Sequence, residues 1–126
     1  MNKLLPLLCV LFVSGCINNS ENVVAEPKSD VSFSHEVRPI LVEYGCISCH
    51  SNGSLNFSSY ENLLNSTGSK YGTDIVIPED ADASGLVDKI EANPRFGARM
   101  PTEGPFLSGN EIETIRAWIN EGALNN

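Results

Sequence analysis

The sequence is short of positive charge, of long apolar runs, and of histidine, methionine and cysteine. Lys and Arg number 8 against 16 Asp and Glu, a formal net charge of −8. The acids are spread along the chain, and this argues against a nucleic-acid partner, which needs a basic face. The acidity itself has two readings: it keeps an exported protein soluble, or it forms an electrostatic docking surface for a basic-faced partner. The apolar run Leu4 to Val13 is ten residues, too short to cross a bilayer. With 126 residues the chain has room for one small domain. Glycine, proline, serine and asparagine are plentiful, so much of that domain is expected to be loop. A loop-rich domain of this size has a thin core, and gains from a large apolar cofactor or from staples.

The start of the chain reads as an address. Lys3 supplies a short positive region, Leu4 to Val13 the apolar region, and Val13-Ser14-Gly15-Cys16 the end of a secretory signal. That last segment resembles the lipobox of bacterial lipoproteins. The resemblance implies cleavage before Cys16, acylation of Cys16, and stable anchoring through several acyl chains, since one chain alone holds only marginally. Ile17 rather than Asp follows Cys16; by analogy with the sorting rule of diderm bacteria this leans towards the outer membrane, with the domain facing the periplasm. The organisation expected is therefore a signal peptide over 1–15, lipidated Cys16 and a flexible tether over 16–32, and one domain over 33–126. The polar tether has a random-coil span of roughly 20 Å.

The scarcity of cysteine makes the remaining pattern informative. Cys9 leaves with the signal and Cys16 takes lipid, so Cys46 and Cys49 remain, followed at once by His50. Cys-x-x-Cys-His is the spacing at which two thiols add to the two vinyl groups of a porphyrin while the next histidine lies under the iron. One covalent haem c on Cys46 and Cys49, with His50 as proximal iron ligand, is the reading adopted. Two others compete with it. A thioredoxin-like dithiol wants a βαβ setting that is not visible in the sequence. A zinc site on Cys46, Cys49, His50 and His35 would need adjacent Cys49 and His50 to reach one tetrahedral ion together.

The distal ligand follows by elimination. Without Met1, Met100 is the one methionine, and His35 is the one other histidine. Phe33, Val37, Ile40, Leu41 and Tyr44 form one apolar helical stripe, and at 100° per residue His35 lies on the opposite side, towards solvent. Met100 sits in Arg99-Met100-Pro101, in a Gly/Pro-rich loop rather than on an apolar stripe. A thioether ligand also suits electron transfer, because Met/His ligation raises the reduction potential. Met100 is therefore the expected distal iron ligand.

These residues resemble class I c-type cytochromes, and most closely the short planctomycete-type cytochrome c module of bacterial exported proteins. The resemblance is carried by Phe33 with Val37-Arg38-Pro39-Ile40-Leu41, by Ile75-Val76-Ile77-Pro78 with Ser84-Gly85-Leu86, and by Met100-Pro101, Leu107-Ser108, Glu111, Trp118-Ile119 and Gly122-Ala123. It covers nearly all of 33 to 123. It implies an all-α class I cytochrome c fold: three to four helices wrapped around one covalent haem, with the first and last helices crossing. It also implies the ligand set Cys46, Cys49, His50 and Met100. The chain departs from the pattern at Glu79, where the family usually has glycine after the proline. It also lacks a proline between His50 and Pro78, and in many members such a proline carbonyl accepts the histidine ring N–H.

Local signals place the elements. A first helix is predicted from about His35 to Tyr44 with Ser34 as N-cap; Pro39 then demands a later start or a kink, and Gly45 ends the helix. A last helix is predicted from a Ser108/Glu111 capping box to Gly122, with Ile112, Ile115, Trp118 and Ile119 on its apolar face. A helix from about Ser84 to Glu91, capped by Asp82 or Ser84, and a short helix within Ser58–Asn65 complete the set. Ile75–Ile77 reads either as a strand or as an apolar loop lining the haem. Leu55 and Phe57 either close over a haem edge or fill the core. Arg95, Arg99, Lys70, Tyr71 and Trp118 are candidate donors to the haem propionates.

The function expected is single-electron transfer at the cell envelope between redox partner proteins, not enzymatic turnover. The alternatives are a haem-based sensor or small redox enzyme with an openable distal site, or a haem subunit of a larger redox complex. One haem motif alone argues against a di-haem peroxidase.

Overall fold

A computed structural model describes residues 31–126. The expected signal peptide, Cys16 and most of the expected tether lie outside the described residues. The described chain is helical: a π-helical turn, Phe33–Val37, followed by α1 (Arg38–Glu43), α2 (Cys46–Cys49), α3 (Tyr60–Leu64), α4 (Gly85–Ile90) and α5 (Gly109–Asn120). No strand occurs among the described residues; Ile75–Ile77 is irregular, and one isolated bridge joins Gly68 and Gly72.

The opening turn differs from the helix expected at Ser34. Ser32 is the cap, its Oγ accepting from His35 N–H at 3.2 Å. Val37 N–H then reaches back five residues to Ser32 O at 3.2 Å, and Arg38 N–H to Phe33 O. This wide turn answers the problem posed by Pro39. A proline has no N–H to give and its ring crowds the preceding turn, so the α-helix proper starts at Arg38 with Pro39 in its first turn. The first turn's spare N–H groups find the tail of the chain: Ser34 N–H donates to Asn126 O at 2.9 Å and Phe33 N–H to Asn126 Oδ1 at 2.8 Å.

The last helix follows its local signals. Ser108 and Glu111 form the reciprocal capping box, and Gly122 follows the helix with φ +102°, a backbone position natural for glycine. Ile115, Trp118 and Ile119 are buried along one face. That face packs on the opening turn, where the Phe33 and Trp118 rings lie 5.3 Å apart and Phe33 also meets Tyr60 edge-on at 5.3 Å. Val37, Leu41, Leu63 and Val87 complete the centre of the core. Val31, two residues ahead of the expected domain start, is buried with them.

α3 is capped by Ser59, whose side chain accepts from Asn62 N–H at 3.1 Å. α4 buries Leu86, Val87 and Ile90. Ser84 stands at its cap position, but its hydroxyl serves the preceding loop instead, accepting from Ile77 N–H and donating to Asp80 O, both at 2.8 Å.

Candidate functional site

The short helix α2 carries the Cys-x-x-Cys pair. It is set off from α1 by Gly45 at φ +70°, a left-handed position where a side chain is strained. α2 is a single turn, closed by His50 N–H donating to Cys46 O at 2.8 Å. The chain after His50 returns at once: Phe57 N–H donates to His50 O at 2.6 Å, and the Phe57 ring packs 5.2 Å from the His50 imidazole. Buried Ser66 ties this loop down, accepting from Asn56 N–H and donating to Asn62 O, both at 2.8 Å.

Met100 arrives from the far side of the sequence on an irregular segment after α4. The segment is held by the end of that helix. Met100 N–H donates to Lys89 O at 2.7 Å. Arg95 N–H and Nε donate to the Asp88 carboxylate at 3.0 Å, and Arg99 Nε donates to Ile90 O at 2.8 Å.

Cys46, Cys49, His50 and Met100 all line one cavity of about 780 Å³, whose walls include Leu55, Phe57, Ile75, Leu86 and Ile90. That size lies within the ~300–1,000 Å³ usual for ligand pockets. Leu55, Phe57 and Ile75 line this cavity, and Phe57 and Ile75 are at the same time part of the buried core. His35 is exposed and is not part of the wall. Chemically, two thiols, an imidazole and a thioether on one apolar cavity are the donors by which a covalent haem is held.

Electrostatics at the cavity favour neutral donors. Burial pushes the Cys46 thiol up, the opposite of the depressed thiol that makes a dithiol reactive. Burial also lowers the His50 imidazole below its ordinary value of 6.5, which leaves a ring lone pair available at neutral pH. Among the described residues no three His, Cys, Asp or Glu side chains are grouped to hold a metal ion, which has no bearing on a covalent haem.

The mouth sorts the candidate propionate donors. Lys70 and Tyr71 line the cavity. Arg95 is engaged with Asp88 and stacks over Tyr71 at 5.7 Å, and Arg99 lies 4.3 Å over Phe106. Trp118 does not serve there: it is buried away from the cavity, and its Nε1–H is taken by Leu124 O at 2.9 Å. The reason is that the chain turns back after Gly122 and delivers that carbonyl to the indole. Tyr71 donates to Asp88, and burial together with that carboxylate pushes its hydroxyl up to about 12.

Sequence reasoning missed Asp88 and Lys89 as holders of the Met100 segment, and Tyr44 as a wall residue anchored to Glu111. For Asp88 and Lys89 only a place near a helix end was visible in the sequence, and for Tyr44 a place on the apolar stripe of the first helix.

Comparison with family models, with curated proteins and with solved structures found no match.

Proposed function

We propose that the chain is a mono-haem c-type cytochrome of class I architecture that carries single electrons at the cell envelope, and is not an enzyme in its own right. The observation that carries this reading is the meeting of Cys46, Cys49, His50 and Met100 on one apolar cavity. In it, Cys46 and Cys49 bind haem c through thioethers, His50 is the proximal iron ligand and Met100 the distal one. When bound, the haem supplies one-electron ferric–ferrous chemistry. The chain does the rest. Leu55, Phe57, Ile75, Leu86 and Ile90 exclude water, neutral His50 offers its lone pair, and the Met100 thioether raises the potential. With His50 and Met100 both holding the iron, no position would be left for a substrate. The contact of Phe33 with Trp118 supports the crossing of first and last helices that this architecture uses.

Acylated Cys16 anchors the domain on the periplasmic side, at the outer membrane, and the acidic surface meets a basic-faced redox partner. The lipobox pattern and the net charge of −8 support these two parts.

The test is expression with the c-type maturation machinery, followed by denaturing electrophoresis and optical redox titration. Haem should stay with the chain on the gel and be lost from the Cys46→Ser/Cys49→Ser double variant. The ferric protein should carry a methionine–iron charge-transfer band that Met100→Ala abolishes. Absence of that band in the wild type sinks the carrier assignment and favours an openable iron. Cys16→Ser should move the protein from the membrane to the soluble fraction.

A further inference from the structure

We infer that Lys89 is a positioning residue for the distal ligand: it clamps the segment that carries Met100 onto the end of α4. The inference rests on the haem reading above and adds to it a residue of the cavity wall that acts through the Met100 segment.

Lys89 meets that segment three times at alternate residues. Its Nζ donates to Phe96 O at 2.8 Å and to Ala98 O, and its own carbonyl accepts from Met100 N–H at 2.7 Å. Gly97 lies between the two carbonyls with φ +67°, and this turn lets both reach one ammonium. The neighbours of Lys89 extend the grip, Asp88 through Arg95 and Ile90 through Arg99. Apolar burial adds little to this: Phe96, Gly97 and Ala98 are all exposed, and the one ring contact is Phe96 edge-on against Tyr71 at 5.4 Å. A segment with no helix of its own and little buried surface opens readily. Its closure therefore depends on the charged donor, whose hydrogen bonds are the stronger kind. When the clamp opens, Met100 is freed from the cavity.

The test uses the haem-loaded protein and two readouts other than electron transfer: the affinity of the ferric form for added imidazole, which enters only when Met100 leaves, and hydrogen exchange at the Met100 amide. Lys89→Met keeps the aliphatic stem and removes the donor. It should raise imidazole affinity about tenfold, the size expected for losing hydrogen bonds to a charged group, and it should speed exchange at Met100. Lys89→Arg should lie closer to wild type. Arg116→Gln removes ion pairs to Asp82 and Glu91, which do not touch the Met100 segment, and should leave both readouts unchanged, which separates positioning from general loss of stability. The inference stands only if both readouts rise in Lys89→Met and neither rises in Arg116→Gln; any other pattern overturns it. If Lys89→Met does not accumulate, Lys89→Gln, which also lacks the charged donor, is held to the same two readouts. A wild-type ferric spectrum without the methionine–iron band sinks the haem-ligand reading, whereas Met100 amide exchange still reports on the clamp alone.

Discussion

The Tyr44 hydroxyl donates to Glu111 Oε2 at 2.7 Å, and so fastens the end of α1 and a wall of the cavity to the first turn of α5. The same carboxylate oxygen accepts from Ser108 N–H at 2.7 Å and from Ser108 Oγ at 2.6 Å. One side chain thus caps a helix and braces the cavity. The hydrogen bonds from Ser108, then that from Tyr44, hold the Glu111 carboxyl below its ordinary value of 4.5. Glu111→Ala should therefore lower the melting temperature by a few degrees, and Tyr44→Phe by less, because the phenylalanine variant leaves the capping box intact. Thermal melts of the two variants and their double mutant check this; equal losses would separate Tyr44 from the cap.

Asp88 makes the Met100 segment sensitive to acid. Burial raises its carboxyl, but hydrogen bonds from Tyr71 and from Arg95 outweigh burial and hold it below 3.8. A carboxylate with a lowered pKa in the fold contributes stability above its unfolded value, and loses it as pH falls through the folded value. The tie to Arg95 should therefore be intact at neutral pH and fail only below about pH 4. An acid titration of the methionine–iron band is the measurement. In Asp88→Asn the band should be weaker at neutral pH and its loss in acid should begin from that weakened state. A wild-type band that declines between pH 7 and 5 would exclude Asp88 as the cause.

How far the sequence foretold the molecule depends on how local each signal was. The capping box at Ser108 and Glu111 and the stop at Gly122 act within one turn of their own helix, and α5 has the caps expected. Met100 was singled out because the composition left no other methionine, and the structure brings it to the cavity of Cys46 and His50. Ser34 and Ser32 have the same capping chemistry, so local signals do not tell them apart, and the structure uses Ser32. The choice of Ser32 is made by a five-residue hydrogen-bond step ahead of Pro39, which no propensity records. Lys89 and Trp118 depend on folds in the chain beyond them. An ammonium finds the carbonyls of Phe96 and Ala98 only after Gly97 turns, and an indole finds Leu124 O only after the tail returns.

Trp118 is the largest wholly buried side chain and joins the opening turn to α5. Trp118→Ala should cost ~3–5 kcal/mol, a large share of the ~5–15 kcal/mol that holds a small domain folded. Trp118→Phe should cost less, although it leaves the Leu124 carbonyl without its indole donor. Guanidinium unfolding followed by circular dichroism measures both. A loss below about 1 kcal/mol for Trp118→Ala would mean that the site collapses on itself or that this contact is peripheral to the fold.

Glu79 offers a gain rather than a loss. Asp80 N–H donates to Ile77 O at 3.0 Å, closing a turn over Pro78 and Glu79, and Glu79 has φ +68°. Proline followed by a residue at positive φ is the pattern of a type II turn, whose third position calls for glycine. A non-glycine residue held left-handed costs about 1–2 kcal/mol, while glycine adds freedom to the unfolded chain worth about 0.4–1 kcal/mol. The Glu79 side chain is exposed, and its N–H, which donates to Ile119 O at 2.8 Å, survives the change. Glu79→Gly should therefore stabilise the domain by roughly 0.5–1 kcal/mol, read as a higher denaturation midpoint at unchanged slope. A lower midpoint would mean that the carboxylate contributes more at this turn than its backbone costs.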